Sequence, residues 1–222
     1  TKTECYERHT GKRKIKMKRI LESGQFSNYK DGIRLDSASR EVSSIYQSYG
    51  MTTVFISHKH EDLEDLSGLI GFLEKNYNVK AYIDSKDSSM PSVTSGVTAS
   101  KIKERIRQCD KFILLATDLA VESKWCNWEL GYGDAQKFNS KDIAILPLKR
   151  KGYDDASYKG NEYMQIYPYI AYYDGTEFYR DRTPVQRGYY VVTEDEKGNR
   201  TINPLRAVSY THLRAHETPE HL

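Results

Sequence analysis

The rhythm of apolar and polar positions changes near residue 50. Residues 1–50 are polar apart from one helix-like stretch, DSASREVSSIYQSYG. From Thr52 onward, short apolar runs alternate with longer amphipathic stretches. TTVFISH (52–58) is β-branched and aromatic, the pattern of a buried strand. In HEDLEDLSGLIGFLEKNYN, Leu63, Leu66, Ile70 and Leu73 recur every three or four residues behind an acidic first turn, which predicts a helix. VKAYID (79–84) predicts a second strand. A loop rich in Ser, Thr, Gly and Pro follows (85–100), then a helix over KIKERIRQC. KFILLAT (111–117) is apolar throughout, as a strand covered on both faces should be. DLAVESKWCNWELGYGDAQKF predicts one continuous helix, and DIAILPL (142–148) and YIAYYD (169–174) predict the fourth and fifth strands. Near the end, YYVVTEDEKGNRTINPL reads as a hairpin turning at Lys197–Gly198–Asn199.

Strand and helix alternate at the length of βαβ units, which implies a parallel sheet wrapped by helices. The reading divides the chain into a polar and basic extension (1–50), an α/β domain (51–175), an extension with a hairpin (176–207) and a tail (208–222). That tail holds VSYTHLRAHET, which resembles a translated sequencing adapter, so His212, His216 and His221 are kept out of any site. Met17 is an alternative start. Parallel sheets gather ligands at the carboxyl ends of their strands. Ser57 and His58 end the first strand and Asp84 ends the second. Glu129 lies on the helix after the third, so polar groups from separate segments can meet at one edge.

Composition narrows the class. Hydrophobic residues make up 38% and charged residues 29%, and no apolar run approaches the ~18 residues of a membrane helix. Three cysteines with no CxxC pair fit a reducing cytoplasm. The net charge of +3 does not by itself argue for nucleic acid, although six of the nine residues in GKRKIKMKR (11–19) are basic, the pattern of a solvated tail.

Several familiar sites are missing from the sequence. There is no GxxxxGK[ST], and the turn after the first strand holds HKHED where a dinucleotide fold would carry GxGxxG. His58 and His60 sit two apart across a turn and do not suggest a metal, so no metal ligands are assigned. Glu61 and Asp62 are expected to complement the helix N-terminus. Cys126, with no His base paired to it, is read as packing. The Asn-Arg-Thr at 199–201 carries no meaning in a cytoplasmic protein.

WCNWELGYGD (125–134) is the informative stretch. On a helix, Trp125, Trp128, Glu129 and Tyr132 fall at i, i+3, i+4 and i+7. Gly131 and Gly133 each cost a helix roughly 1 kcal/mol relative to Ala, which suggests close approach by another group. A carboxylate bordered by aromatic rings is desolvated and oriented, as catalytic carboxylates are.

From about Thr52 to Asp174 the chain resembles a prokaryotic TIR (Toll/interleukin-receptor) domain. The resemblance rests on FISH-KHED, AYID before the long loop, and SKWCNWEL with its W-x-x-x-E spacing from Trp125 to Glu129. It implies a flavodoxin-like, doubly wound, five-stranded parallel sheet. It also implies cleavage of the nicotinamide–ribose bond of NAD⁺, giving nicotinamide with ADP-ribose or a cyclic isomer, in Thoeris-like anti-phage defence. Carried over by position, Glu129 is the catalytic carboxylate and Trp125 an aromatic pocket wall. Phe55, Ser57, His58 and Asp84 are substrate-binding, with His58 standing where many relatives have Tyr or another residue. The resemblance further implies that NAD⁺ is a substrate and that no cofactor is needed. It implies a gating loop at 85–100, self-association through TIR–TIR contacts, and a downstream effector that senses the product. A TIR interaction module without catalysis is the alternative, and a nucleoside deoxyribosyltransferase-like enzyme on a related fold is a third reading.

Overall fold

A computed structural model of the chain describes residues 4–6, 20–30, 51–84, 95–179, 181–195 and 199–205. The helix-like stretch at 36–50, the basic run at 11–19, most of the loop after Asp84, the hairpin tip at 196–198 and the tail at 208–222 lie outside the described residues.

The elements in chain order are β1 (Glu4–Tyr6), β2 (Leu21–Glu22), β3 (Thr52–Ser57), α1 (Leu63–Tyr77), β4 (Val79–Tyr82), α2 (Gly96–Gln108) and β5 (Lys111–Ala116). Then come α3 (Asp118–Glu122), α4 (Lys124–Lys137), β6 (Ile143–Lys149), α5 (Tyr163–Ile166), β7 (Tyr169–Tyr173), β8 (Phe178–Tyr179), β9 (Gly188–Glu194) and β10 (Arg200–Pro204). The five predicted strands pair in parallel in the order β4-β3-β5-β6-β7. Numbered among themselves, this is the 2-1-3-4-5 order of the flavodoxin-like sheet.

Period-two alternation decides which side chains meet which helices. Val54 and Ile56 point to the face covered by α1, among Leu66, Leu69, Ile70 and Leu73. Phe55, Phe112 and Leu114 point to the opposite face, among Ile102 and Ile106 of α2 and Cys126 and Leu130 of α4. Ser57 continues the second row, so its hydroxyl is directed toward α4 and not α1.

The sheet is longer than the sequence pattern foretold. The C-terminal hairpin joins it, with β9 antiparallel to β7, and β10 then pairs with β1, which pairs with β8. The segment 20–30 is also built in. Leu21 pairs beside Leu148 on β6, and Leu21 and Phe26 are fully buried. Phe26 packs on Phe72 of α1 with ring centroids 4.6 Å apart, and a side chain at Gly68 would meet the Phe26 carbonyl oxygen at 2.6 Å.

The helix predicted over 118–138 is two helices. Ser123 takes an extended conformation (φ −76°, ψ 120°) and serves as the last cap of α3 and the first cap of α4. Its hydroxyl accepts from the Cys126 amide, the side-chain capping that lets Ser compete with continued helix.

Candidate active site

Glu129 lies on the second turn of α4 and is directed inward, with only 1% of its surface exposed. The Ser57 hydroxyl donates to Glu129 Oε2 at 2.5 Å. The other oxygen, Oε1, is buried and accepts no hydrogen bond among the described residues. A buried carboxyl with one unsatisfied oxygen is costly and calls for a function.

Local sequence places it there. A side chain at Gly133 would lie 2.9 Å from the Phe112 ring, so that glycine lets α4 settle directly on β5. Phe112 in turn stacks on Phe55, at 5.7 Å with planes 9° apart. The other glycine does not act this way: nothing lies within 4 Å of a side chain built at Gly131. The corner between α3 and α4 is fixed by Asn127, which donates to the Val121 carbonyl at 2.9 Å and accepts from the Tyr163 hydroxyl at 2.7 Å.

His58 and Asp84 complete the polar cluster. His58 is buried, its Nδ1 lies 3.2 Å from the Ile56 carbonyl, and that nitrogen is 4.0 Å from Asp84 Oδ1. β3 pairs with β4 as far as Phe55 and Tyr82, and Asp84 follows two residues beyond that pair, at the same end of the sheet as Ser57. The Asp84 side chain keeps 22% of its surface exposed, making it the face of the cluster open to solvent.

Burial pushes the Glu129 carboxyl well above its usual range, and the nearby Asp84 charge pushes it further. The Ser57 hydroxyl and, beyond it, the Trp125 indole pull the other way.

Trp125 stacks on Trp128 at 4.9 Å, and Trp128 on Tyr132 at 6.4 Å, forming a half-buried ladder along the flank of α4. Glu129 is directed inward beside the ladder and is not held within it. Lys103 of α2 lies over the rings of Trp128 and Tyr132, a contact the sequence reading missed. Its only signal was a helix with lysines preceding an aromatic-rich one.

The structure therefore brings Glu129, Ser57, Asp84, His58 and Trp125 together. Phe55 stands apart from them. It is fully buried under the site, between Tyr82 and Phe112, with no open face. Asp62 stands at the N-cap of α1, the end its charge was expected to complement, and its carboxylate makes no cap hydrogen bond but accepts from the Thr117 hydroxyl at 2.6 Å. This ties the end of β5 to the start of α1, and burial raises the Asp62 carboxyl. Cys126 packs as expected, with its thiol donating to the His58 carbonyl and raised by burial. A cavity of about 620 Å³ lies at the opposite, amino-terminal end of the strands, lined by Val54, Lys111, Asp142 and Pro168, and has no part in this cluster.

A 2-1-3-4-5 parallel sheet with a buried carboxyl at the carboxyl ends of its first strands defines a flavodoxin-like α/β protein with a polar site at the sheet's rim. The chain belongs to the TIR domain family, whose family model matches residues 54–182. Among curated proteins, it is 32% identical over 140 residues to "Probable 3' cyclic ADP-D-ribose synthase ThsB'" of Bacillus cereus (strain MSX-D12), covering 61% of this chain and 70% of that protein. It is 30% identical over 101 residues to "Putative cyclic ADP-D-ribose synthase TIR2" of Cytobacillus dafuensis, covering 44% of this chain and 26% of that protein. The chain thus spans about a quarter of the second relative's length. Among the described residues, no helix is long and apolar enough to cross a membrane.

Proposed function

We propose that this chain is an NAD⁺ nucleosidase of TIR type. It breaks the nicotinamide–ribose bond and passes the ADP-ribosyl group to a hydroxyl of the same molecule, giving a cyclic ADP-ribose isomer, or to water, giving ADP-ribose. The product serves as an immune signal in anti-phage defence in the cytoplasm, read by a downstream effector, and self-association through TIR–TIR contacts accompanies activity. No cofactor is required. The names of both relatives support this chemistry. The single observation that carries the reading is the buried Glu129 carboxyl, fixed through Oε2 by Ser57 with Oε1 left open.

The chemistry suits one buried acid. Ordinary glycosides need a proton donor because an alkoxide leaves. Nicotinamide is bound as a pyridinium cation and leaves neutral, taking the bonding pair to its ring nitrogen, so no donor is needed there. Positive charge then develops on the ribose. An ionised Glu129 stabilises that charge in surroundings where water does not compete. A cationic substrate also favours ionisation of a carboxyl whose burial otherwise opposes it. Trp125 supplies a flat wall against the departing ring, and stacking on cationic rings favours the bound pyridinium.

Purified protein with NAD⁺ is expected to release nicotinamide. Glu129→Gln is expected to keep the fold and lower turnover about 100- to 1,000-fold, the range seen when one preorganised electrostatic group is lost. Mass spectrometry identifies the product. Equal turnover by the two proteins would remove Glu129 from the mechanism.

A further inference from the structure

The cluster holds a second carboxylate whose placement differs from that of Glu129. Glu129 is almost wholly buried, and its Oε1 accepts no hydrogen bond among the described residues. Asp84 stands at the solvent side of the same cluster, with Oδ1 4.0 Å from His58 Nδ1. Glycosyl-transfer sites commonly divide labour between two carboxylates, one at the sugar cation and one at the attacking oxygen. Departure of nicotinamide needs no acid, yet the second half-reaction needs a base, because a hydroxyl acceptor must lose its proton as it attacks.

We infer that Asp84 is the general base for the acceptor hydroxyl, while Glu129 serves the ribosyl cation. This assignment rests on the NAD⁺ nucleosidase reading. The C1′–N bond breaks and its electron pair leaves on nicotinamide. The acceptor oxygen, from the adenosine half of the substrate or from water, forms the new C1′–O bond, and its proton passes to an Asp84 carboxylate oxygen. His58 is a positioning residue. Its Nδ1 lies 3.2 Å from the Ile56 carbonyl oxygen and 4.0 Å from Asp84 Oδ1, so the buried ring forms the wall against which the Asp84 carboxylate rests. The exposed side of Asp84 is where an acceptor can arrive.

The test exploits an acceptor that carries no proton. A pyridine base such as 3-acetylpyridine attacks through a ring-nitrogen lone pair, so exchange of nicotinamide for it needs Glu129 but not a general base. In Asp84→Asn, formation of cyclic or hydrolysed product is expected to fall about 100- to 10,000-fold, the usual contribution of a general base. Base exchange with 3-acetylpyridine is expected to persist, which also reports a folded site. Glu129→Gln is expected to lose both reactions. Parallel loss of exchange and of hydroxyl transfer in Asp84→Asn would overturn the assignment, as would hydroxyl transfer at the wild-type rate. If circular dichroism finds that variant unfolded, Asp84→Ser is judged by the same two reactions. A wild-type protein that neither cleaves NAD⁺ nor exchanges its base would instead refute the nucleosidase reading, and the Asp84 assignment would fall with it.

Discussion

At the scale of single residues, Glu129 is held at a thermodynamic disadvantage. Its carboxyl titrates well above its ordinary value of 4.5, first because of burial and then because of Asp84. In the pH range between the unfolded and folded values, the native state holds a proton that the unfolded chain has released. Stability from this group is therefore complete below the unfolded value and is lost as pH rises through the folded one. A glutamine keeps the shape and has no charge to desolvate. Glu129→Gln is thus expected to melt at a higher temperature than wild type at neutral pH, with the difference shrinking as pH falls toward 4. Thermal unfolding followed by circular dichroism at several pH values checks this, and a constant offset would show that charge burial is not the cause. Ser57→Ala acts in the other direction on the same group. Removing the Ser57 hydrogen bond to Oε2 lifts the carboxyl further. Activity is expected to fall and its pH profile to move to higher pH, measured as initial rates of nicotinamide release.

At the scale of elements, two glycines two positions apart on one helix have opposite meanings. Gly133→Ala adds a methyl group against the Phe112 ring and is expected to destabilise by roughly 1–3 kcal/mol of overpacking, less the gain of up to about 1 kcal/mol in helix propensity. Gly131→Ala meets open space and is expected to stabilise by about 0.4–1 kcal/mol. Urea unfolding separates the pair, and equal effects would contradict the packing of α4 on β5. Sequence spacing suggested that some glycine here allows close approach, and only the facing strand shows which one. The five parallel strands and their helices were legible because each strand is a continuous apolar run and each helix repeats every three or four residues. The break at Ser123 was not legible, since 118–138 keeps helical spacing on both sides while the serine's own hydroxyl replaces a helical bond. In the site, Glu129 beside Trp125 was legible from the W-x-x-x-E spacing, but the Ser57 contact spans 72 positions and depends on which face of β3 looks at α4. Phe55 shares that face with Ser57, and alternation alone could not tell the core residue from the polar one at the rim.

At the scale of the whole molecule, residues 20–30 are part of the packed body and not a loose leader. Phe26 meets Phe72 and Tyr189, which lie on α1 and β9 and are far apart in sequence. Ser23 and Gly24 both donate to the Asp65 carboxylate at 2.6 Å. Phe26→Ala is expected to cost about 3–5 kcal/mol, the range for deleting a buried Phe, measured by chemical denaturation. A cost near zero would mean that the segment leaves α1 in solution. Nothing in the polar composition of residues 1–50 announced this, because three buried apolar residues, Ile20, Leu21 and Phe26, are too few to form a period.

The order of strands across the sheet has a practical use. β1 runs antiparallel to β10, so the first and last described strands lie side by side. From β3, which ends in Ser57, the sheet continues through β5, β6, β7 and β9 to β10, five intervals of roughly 4.8 Å, or about 24 Å. A fluorophore, affinity handle or surface tether attached at either of those two strands stands on the flank remote from Glu129, so the protein can be immobilised or followed by light with the rim that carries Ser57 and Glu129 unobstructed.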